Sequence, residues 1–157
     1  QVFTIPDAQS MQALATRIAK LLVAGDVIVL DGLLGAGKTT FTQGLGSALG
    51  VVGQVTSPTF VVSRIHRPTS GLGLIHVDAY RLSSSEELFD LELDNRGDNV
   101  VVMEWGLPYV ADIAEDWLEI SINRDDSGTL DDPAGGQRIV SVTGHGDRWA
   151  NLDKDLS

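Results

Sequence analysis

The sequence predicts an α/β fold: one domain on a central β-sheet, mixed but mainly parallel, flanked by helices. Three observations lead there. A continuous apolar run at 27–30 stops at a glycine-rich stretch, and a helical pattern opens at 38, the strand–loop–helix order of an α/β unit. A second continuous run, at 100–103, again has the character of a strand buried on both faces. Leu118, Ile120 and Ile122 then alternate with polar residues, as does 139–142, so half-exposed strands complete the sheet and make it mixed.

In chain order, 2–5 reads as a short strand and Pro6-Asp7 turns the chain. Met11, Leu14, Ala15, Ile18, Leu21 and Leu22 recur at helical spacing, with Gly25 as the stop. The helix over 38–49 ends at Gly50, and Gly44 and Gly46 lower its intrinsic propensity. Strands are expected at 60–65 and 72–77, joined across a Pro/Ser/Gly loop at 67–73. A short helix over 83–91 follows, with Ser83 or Ser84 capping and Glu86 or Glu87 in its first turn. The last two strands are joined by 124–137, a stretch with Asp, Ser, Gly and Pro that is expected to be mobile. The domain is expected to span 1–143. Residues 144–157 read as a polar acidic tail, partly disordered, with only Trp149 and Leu152 as apolar landmarks.

The 157 residues fit one domain with a modest core, and 43% hydrophobic content is too high for a disordered chain. Eleven basic residues against 22 acidic ones give a net charge of −11. Direct nucleic-acid binding ordinarily uses a basic face, so any work on RNA is expected to leave the RNA with another subunit. The absence of Cys excludes disulfides, zinc knuckles and thiol nucleophiles. The apolar run at 21–30 is interrupted by Gly25 and Asp26, far short of a membrane span, and 1–7 shows no signal-peptide pattern. A cytoplasmic location with no membrane partner is expected.

Gly32-Leu33-Leu34-Gly35-Ala36-Gly37-Lys38-Thr39 fits G-x-x-x-x-G-K-[ST], the P-loop pattern, between a buried strand and a helix. Glycines let the backbone curl so that successive N–H groups line a concave anion site, and the new helix adds its positive end. Lys38 reaches the β- and γ-phosphates of a nucleotide and the Thr39 hydroxyl ligates magnesium. The domain is therefore read as a single P-loop NTPase domain. Glu104 follows the run at 100–103 in a Walker-B-like position, and Asp78 ends the strand containing 74–77. Carboxyl ends of strands line the ligand crevice of open α/β sheets. His76 falls on the same side of its strand as Asp78, with no third ligand nearby, and reads as a structural or supporting histidine. Ser57-Pro58-Thr59 lies where nucleotide-sensing loops of P-loop proteins sit, or forms an ordinary turn. Tyr80-Arg81 docks the loop against the sheet or faces a partner, and Trp105 is either core or a lid beside the phosphates.

These residues resemble the TsaE family, small bacterial ATPases needed to make threonylcarbamoyladenosine in tRNA. The resemblance runs from about 5 to 142. It rests on 34–40, on Ser57-Pro58-Thr59-Phe60, on His76-Val77-Asp78-Ala79-Tyr80-Arg81-Leu82, on Glu86-Glu87-Leu88 and on Glu104-Trp105. It implies binding of ATP and Mg2+, slow hydrolysis alone, and assembly with the TsaD–TsaB pair, which carries out threonylcarbamoyl transfer beside the anticodon. ATP binding would support assembly, hydrolysis would reset the complex, and tRNA would be met only through the partners. By position, Gly35, Ala36, Gly37, Lys38, Thr39 and Thr40 would hold the phosphates and Thr39 and Glu104 the magnesium. Asp78 would lie at the γ-phosphate, and whether it or Glu104 acts on the attacking water stays open. Arg138 matches a family arginine expected near the base, where guanidinium stacking would be the physical reason; otherwise it is an edge-strand surface residue. The turn at Asp7-Ala8-Gln9 falls where the family's first segment approaches the nucleotide.

Two departures stand out: Leu33 replaces an acid common in relatives, and the acidic loop 125–132 is long. A small-molecule P-loop kinase is the first alternative, but its only long candidate lid, 124–138, is acidic. A GTPase is disfavoured because no N-K-x-D motif occurs. A non-catalytic nucleotide-binding regulatory module is the third alternative, against which the intact Asp78 and Glu104 argue.

Overall fold

A computed structural model describes residues 1–33, 36–51, 63–68, 71–81, 96–124 and 137–157. The expected helix at 83–91, Ser57-Pro58-Thr59, the first residues of the strand at 60–65 and the loop 125–132 lie outside the described residues.

The strands are β1 (Val2–Ile5), β2 (Val27–Asp31), β3 (Ser63–His66), β4 (Gly73–Asp78), β5 (Asn99–Glu104), β6 (Trp117–Arg124) and β7 (Arg138–His145). They form one sheet in the order β1-β7-β6-β2-β5-β4-β3. The four central strands, β6-β2-β5-β4, run parallel, while β3 and the β1–β7–β6 side pair antiparallel. The sheet is therefore mixed with a parallel centre, as the two apolar runs predict. Alternation along these runs sends Ile28, Leu30, Val100, Val102, Leu118 and Ile120 into one core. Val27, Val29, Ile75, Val77, Val101 and Met103 enter a second core on the opposite face, under Val110 and Tyr109. Both faces of the central strands are thus removed from water.

Helix α1 (Ala8–Ala19) starts at Asp7, whose carboxylate accepts from the Ser10 amide at 2.8 Å. It buries Met11, Leu14, Ala15 and Ile18. Helix α2 (Lys38–Leu49) packs beside it over the first core and ends at Gly50, which is left-handed. Gly32 ends β2 because β6 passes too close for a side chain: a Cβ there would lie 2.4 Å from the Ile122 carbonyl oxygen. That approach sets where the loop leaves the sheet.

The tail is a correction to the expectation of partial disorder. Gly144 and His145 complete β7, a 3-10 turn follows at Asp147–Trp149, and α3 (Leu152–Asp155) closes the chain. Trp149, Leu152 and Leu156 are buried in the first core. Arg148 clamps Asp26 through Nε at 3.1 Å and Nη2 at 2.9 Å, and Nη2 also donates to the Leu21 carbonyl at 2.6 Å. The Arg17 guanidinium donates to the Leu156 carbonyl. A stripe of three apolar side chains suffices to dock a segment whose other residues are polar, so no boundary falls at 143/144.

Candidate functional site

The site is built at the carboxyl ends of β2, β4 and β5. Gly37, in a left-handed conformation, begins α2 with no side-chain cap, leaving the first-turn amides directed out of the helix end. Thr39 and Thr40 stand half-buried in that turn, with Ala36 buried before it, while Gly35 lies outside the described residues. Lys38 is only 6% exposed. Its Nζ donates to the Gly32 carbonyl at 2.5 Å and lies 4.0 Å above the centre of the Trp105 ring. Burial pushes the Lys38 pKa down, and the carboxylates of Glu104, Asp31 and Asp78 oppose that shift.

The strand register explains this convergence. Asp78 pairs with Glu104 across β4 and β5, and Glu104 pairs with Leu30 of β2, so neighbouring strands end together. Glu104 is buried, and its Oε2 lies 2.9 Å from Nε2 of His76, itself fully buried. An ionised carboxylate accepts only, so Nε2 donates in this hydrogen bond, and Nδ1 is buried with no hydrogen-bond partner among the described residues. His76 thus holds Glu104, as a supporting histidine would. Asp78 is half-buried, and its Oδ1 accepts from the Tyr80 amide at 3.0 Å.

Trp105, directly after Glu104, has φ of 61°, the only positive value for a non-glycine among the described residues. Its amide donates to the Leu30 carbonyl at 3.3 Å and its ring meets Tyr80 at 5.4 Å. A backbone held in a sparsely populated conformation beside buried charge marks a place where geometry is imposed for use. Beyond the ring is a cavity of about 360 Å³, lined by Asp31, Tyr80, Trp105, Leu107, Pro108 and Tyr109 among others.

Arg138 begins β7, and its Nε donates to the Ala36 carbonyl at 2.9 Å. The guanidinium therefore braces the backbone of the loop. Among the sequence-predicted residues, the structure brings together Ala36, Gly37, Lys38, Asp78, Glu104 and Arg138, with Thr39 and Thr40 on the same helix turn. Sequence reasoning missed Asp31. The signal was present, since Asp31 ends an apolar run as Asp78 and Glu104 do, but the glycine motif drew the reading one residue further on.

Thr39 and Glu104 offer a hydroxyl and a carboxylate, hard oxygen donors of the kind Mg2+ takes. Asp31, Asp78 and Glu104 outnumber the one lysine among them, which leaves negative charge for a cation to balance. Among the described residues no group of three His, Cys, Asp or Glu forms a metal cage. Magnesium ordinarily needs none, because it keeps water and phosphate oxygens around one or two carboxylates.

Comparison with known proteins gives a consistent result. The profile of the family described as "Threonylcarbamoyl adenosine biosynthesis protein TsaE" matches residues 5–131. A tRNA threonylcarbamoyladenosine biosynthesis protein TsaE from Streptomyces coelicolor is 52% identical over 147 residues, covering 91% of this chain and 96% of the relative. The protein of the same name from Bacillus subtilis is 35% identical over 151 residues, covering 95% and 89%. The crystal structure of Bacillus subtilis YdiB superposes with a TM-score of 0.76 at 29% identity, covering 99% of this chain and 93% of that one.

Proposed function

The chain belongs to the TsaE family of tRNA threonylcarbamoyladenosine biosynthesis proteins, and from that premise we propose that it is a Mg2+-dependent ATPase serving the TsaD–TsaB pair. The observation that carries this reading is the placement of Lys38 and the uncapped start of α2 against three strand-end carboxylates, Asp31, Asp78 and Glu104. ATP binding supports assembly with the partners, and hydrolysis resets the complex between rounds. With a net charge of −11, the chain leaves tRNA to those partners. No helix among the described residues is long and apolar enough to cross a membrane. The cytoplasm, where tRNA is modified, is the proposed location.

In this mechanism the first-turn amides of α2, with Gly35, Ala36, Gly37, Thr39 and Thr40, receive the phosphates. Lys38 exchanges the Gly32 carbonyl and the Trp105 ring for phosphate oxygens, a short swing of a long side chain. Thr39 and Glu104 would hold magnesium, which when bound supplies positive charge to offset that of the phosphoryl group in transfer. His76 keeps Glu104 oriented for this task. Asp78, less buried and not engaged by His76, orients the attacking water and accepts its proton. Arg138, through Ala36, keeps the loop in shape.

The fate of the γ-phosphate of labelled ATP tests this function, with and without TsaD–TsaB and tRNA, and with Lys38→Ala as control. Inorganic phosphate that rises with the partners is expected. Label on an added metabolite, indifferent to the partners, would mean a kinase. Asp78→Asn is expected to bind MgATP and lose hydrolysis; loss of both would mean that Asp78 is not the group acting on water.

A further inference from the structure

The cavity beyond Trp105 shares Asp31 and the Trp105 ring with the phosphate site, but no step above uses its interior. Its volume of about 360 Å³ suits an inserted side chain or small group. Tyr80, Trp105 and Tyr109 give it aromatic walls, Leu107 and Pro108 close its side, and Asp31 is its one charged lining residue among the described residues. The rim is open: Tyr80 is 73% exposed and Leu107 39%. Aromatic faces beside a carboxylate are the surroundings that a guanidinium or ammonium group prefers. Trp105 already carries one such contact, with the Lys38 ammonium 4.0 Å over its ring, while Lys38 does not itself line the cavity. Asp78 and Glu104 lie close behind, and the whole chain carries −11.

We infer that this cavity receives an arginine or lysine side chain of a protein partner. The inference rests on the reading that the chain works with a protein partner while holding nucleotide. Trp105 then borders both the phosphate site, which it meets through Lys38, and the cavity that takes the partner's cation. Phosphates add negative charge beside the ring, so nucleotide strengthens cation docking, and docking strengthens nucleotide binding by the same factor.

Butylguanidinium and its neutral isostere butylurea test the cavity directly. The readout is the Trp105 indole resonance, assigned with Trp105→Phe. Butylguanidinium is expected to shift it saturably and butylurea is not. Leu107→Glu tightens and Leu107→Lys weakens that binding, each by about tenfold for one unit charge at a partly aqueous rim. Equal response to butylurea, or both Leu107 variants weakening alike, would show an apolar pocket and overturn the inference. The affinity of the TsaD–TsaB pair, measured with MgATP, is expected to follow the same order of variants. A pair that binds all of them equally also overturns it. If the pair fails to bind the unaltered chain while the guanidinium shift persists, the partner reading falls and the cation site stands.

Discussion

Replacing Gly44 by alanine sets two effects of opposite sign against each other. In an exposed helix the change is favourable by about 1 kcal/mol, because alanine restricts the unfolded chain and suits the helix. Gly44, however, is buried where α2 meets α1. A Cβ there would lie 2.9 Å from the Cα of Gln12 and 3.2 Å from the Cβ of Ala15. The nearest obstacle is backbone, so it gives way only if α1 shifts as a body. Overpacking of this kind costs up to about 3 kcal/mol, which leaves a net loss near 2 kcal/mol. For a domain of this size that lowers the melting temperature by about 4–8 °C. Thermal unfolding followed by circular dichroism measures it, with Ser47→Ala, exposed on the same helix, as the propensity control. The control is expected to gain about 1–2 °C. If Gly44→Ala matches or exceeds the unaltered chain, close approach of the helices is not what demands glycine there.

Three further outcomes follow from the packing and the charges. Arg148→Ala strips Asp26 of its bidentate partner and the Leu21 carbonyl of a donor, and is expected to cost about 2 kcal/mol in chemical denaturation; an unchanged midpoint would mean that the tail does not clamp the sheet. Burial lowers the Lys38 pKa from 10.5, so the unfolded chain binds more protons and stability rises with pH up to that value. Lys38→Met is expected to remove this rise, to melt higher than the unaltered chain near neutral pH, and to lose nucleotide binding, all measurable by thermal shift. Burial likewise lowers the pKa of His66 from 6.5, helped by His76 and Arg64, so stability is lost as pH falls below 6.5 toward the folded value. His66→Gln is expected to flatten that limb of the pH–stability curve.

Much of the fold was legible because its central strands are buried on both faces and therefore read as unbroken apolar runs. The site was legible for the same reason: each run stops at the residue that leaves the core, and Asp78 and Glu104 stand at those stops. What the sequence hid depends on register. Nothing local to His76 says that it meets Glu104, since β4 and β5 must first pair with Asp78 beside Glu104. Arg138 was expected near a nucleotide base through family resemblance; that its Nε also meets the Ala36 carbonyl follows from β7 lying between β1 and β6 and starting close to the loop, which nothing local to Arg138 shows. The tail was misread because Trp149, Leu152 and Leu156 are separated by exposed residues, Ala150 and Asn151 and then the charged Asp153, Lys154 and Asp155. A pattern of three contacts over eight residues falls below what periodicity can detect in a polar background.

The position of β2 in the sheet has a consequence for biosynthesis. The strand that launches the phosphate loop is made early, but its neighbours on either side, β5 and β6, come from 99–104 and 117–124. Both edges of β2 therefore lack partners until most of the chain has left the ribosome. Such non-local pairing is slow and leaves an apolar edge open to aggregation meanwhile. A nascent chain stalled before residue 99 would carry the whole glycine motif and still lack both strands that flank β2. The carboxylates of Asp31, Asp78 and Glu104 therefore come together beside the motif only after 99–104 has been made.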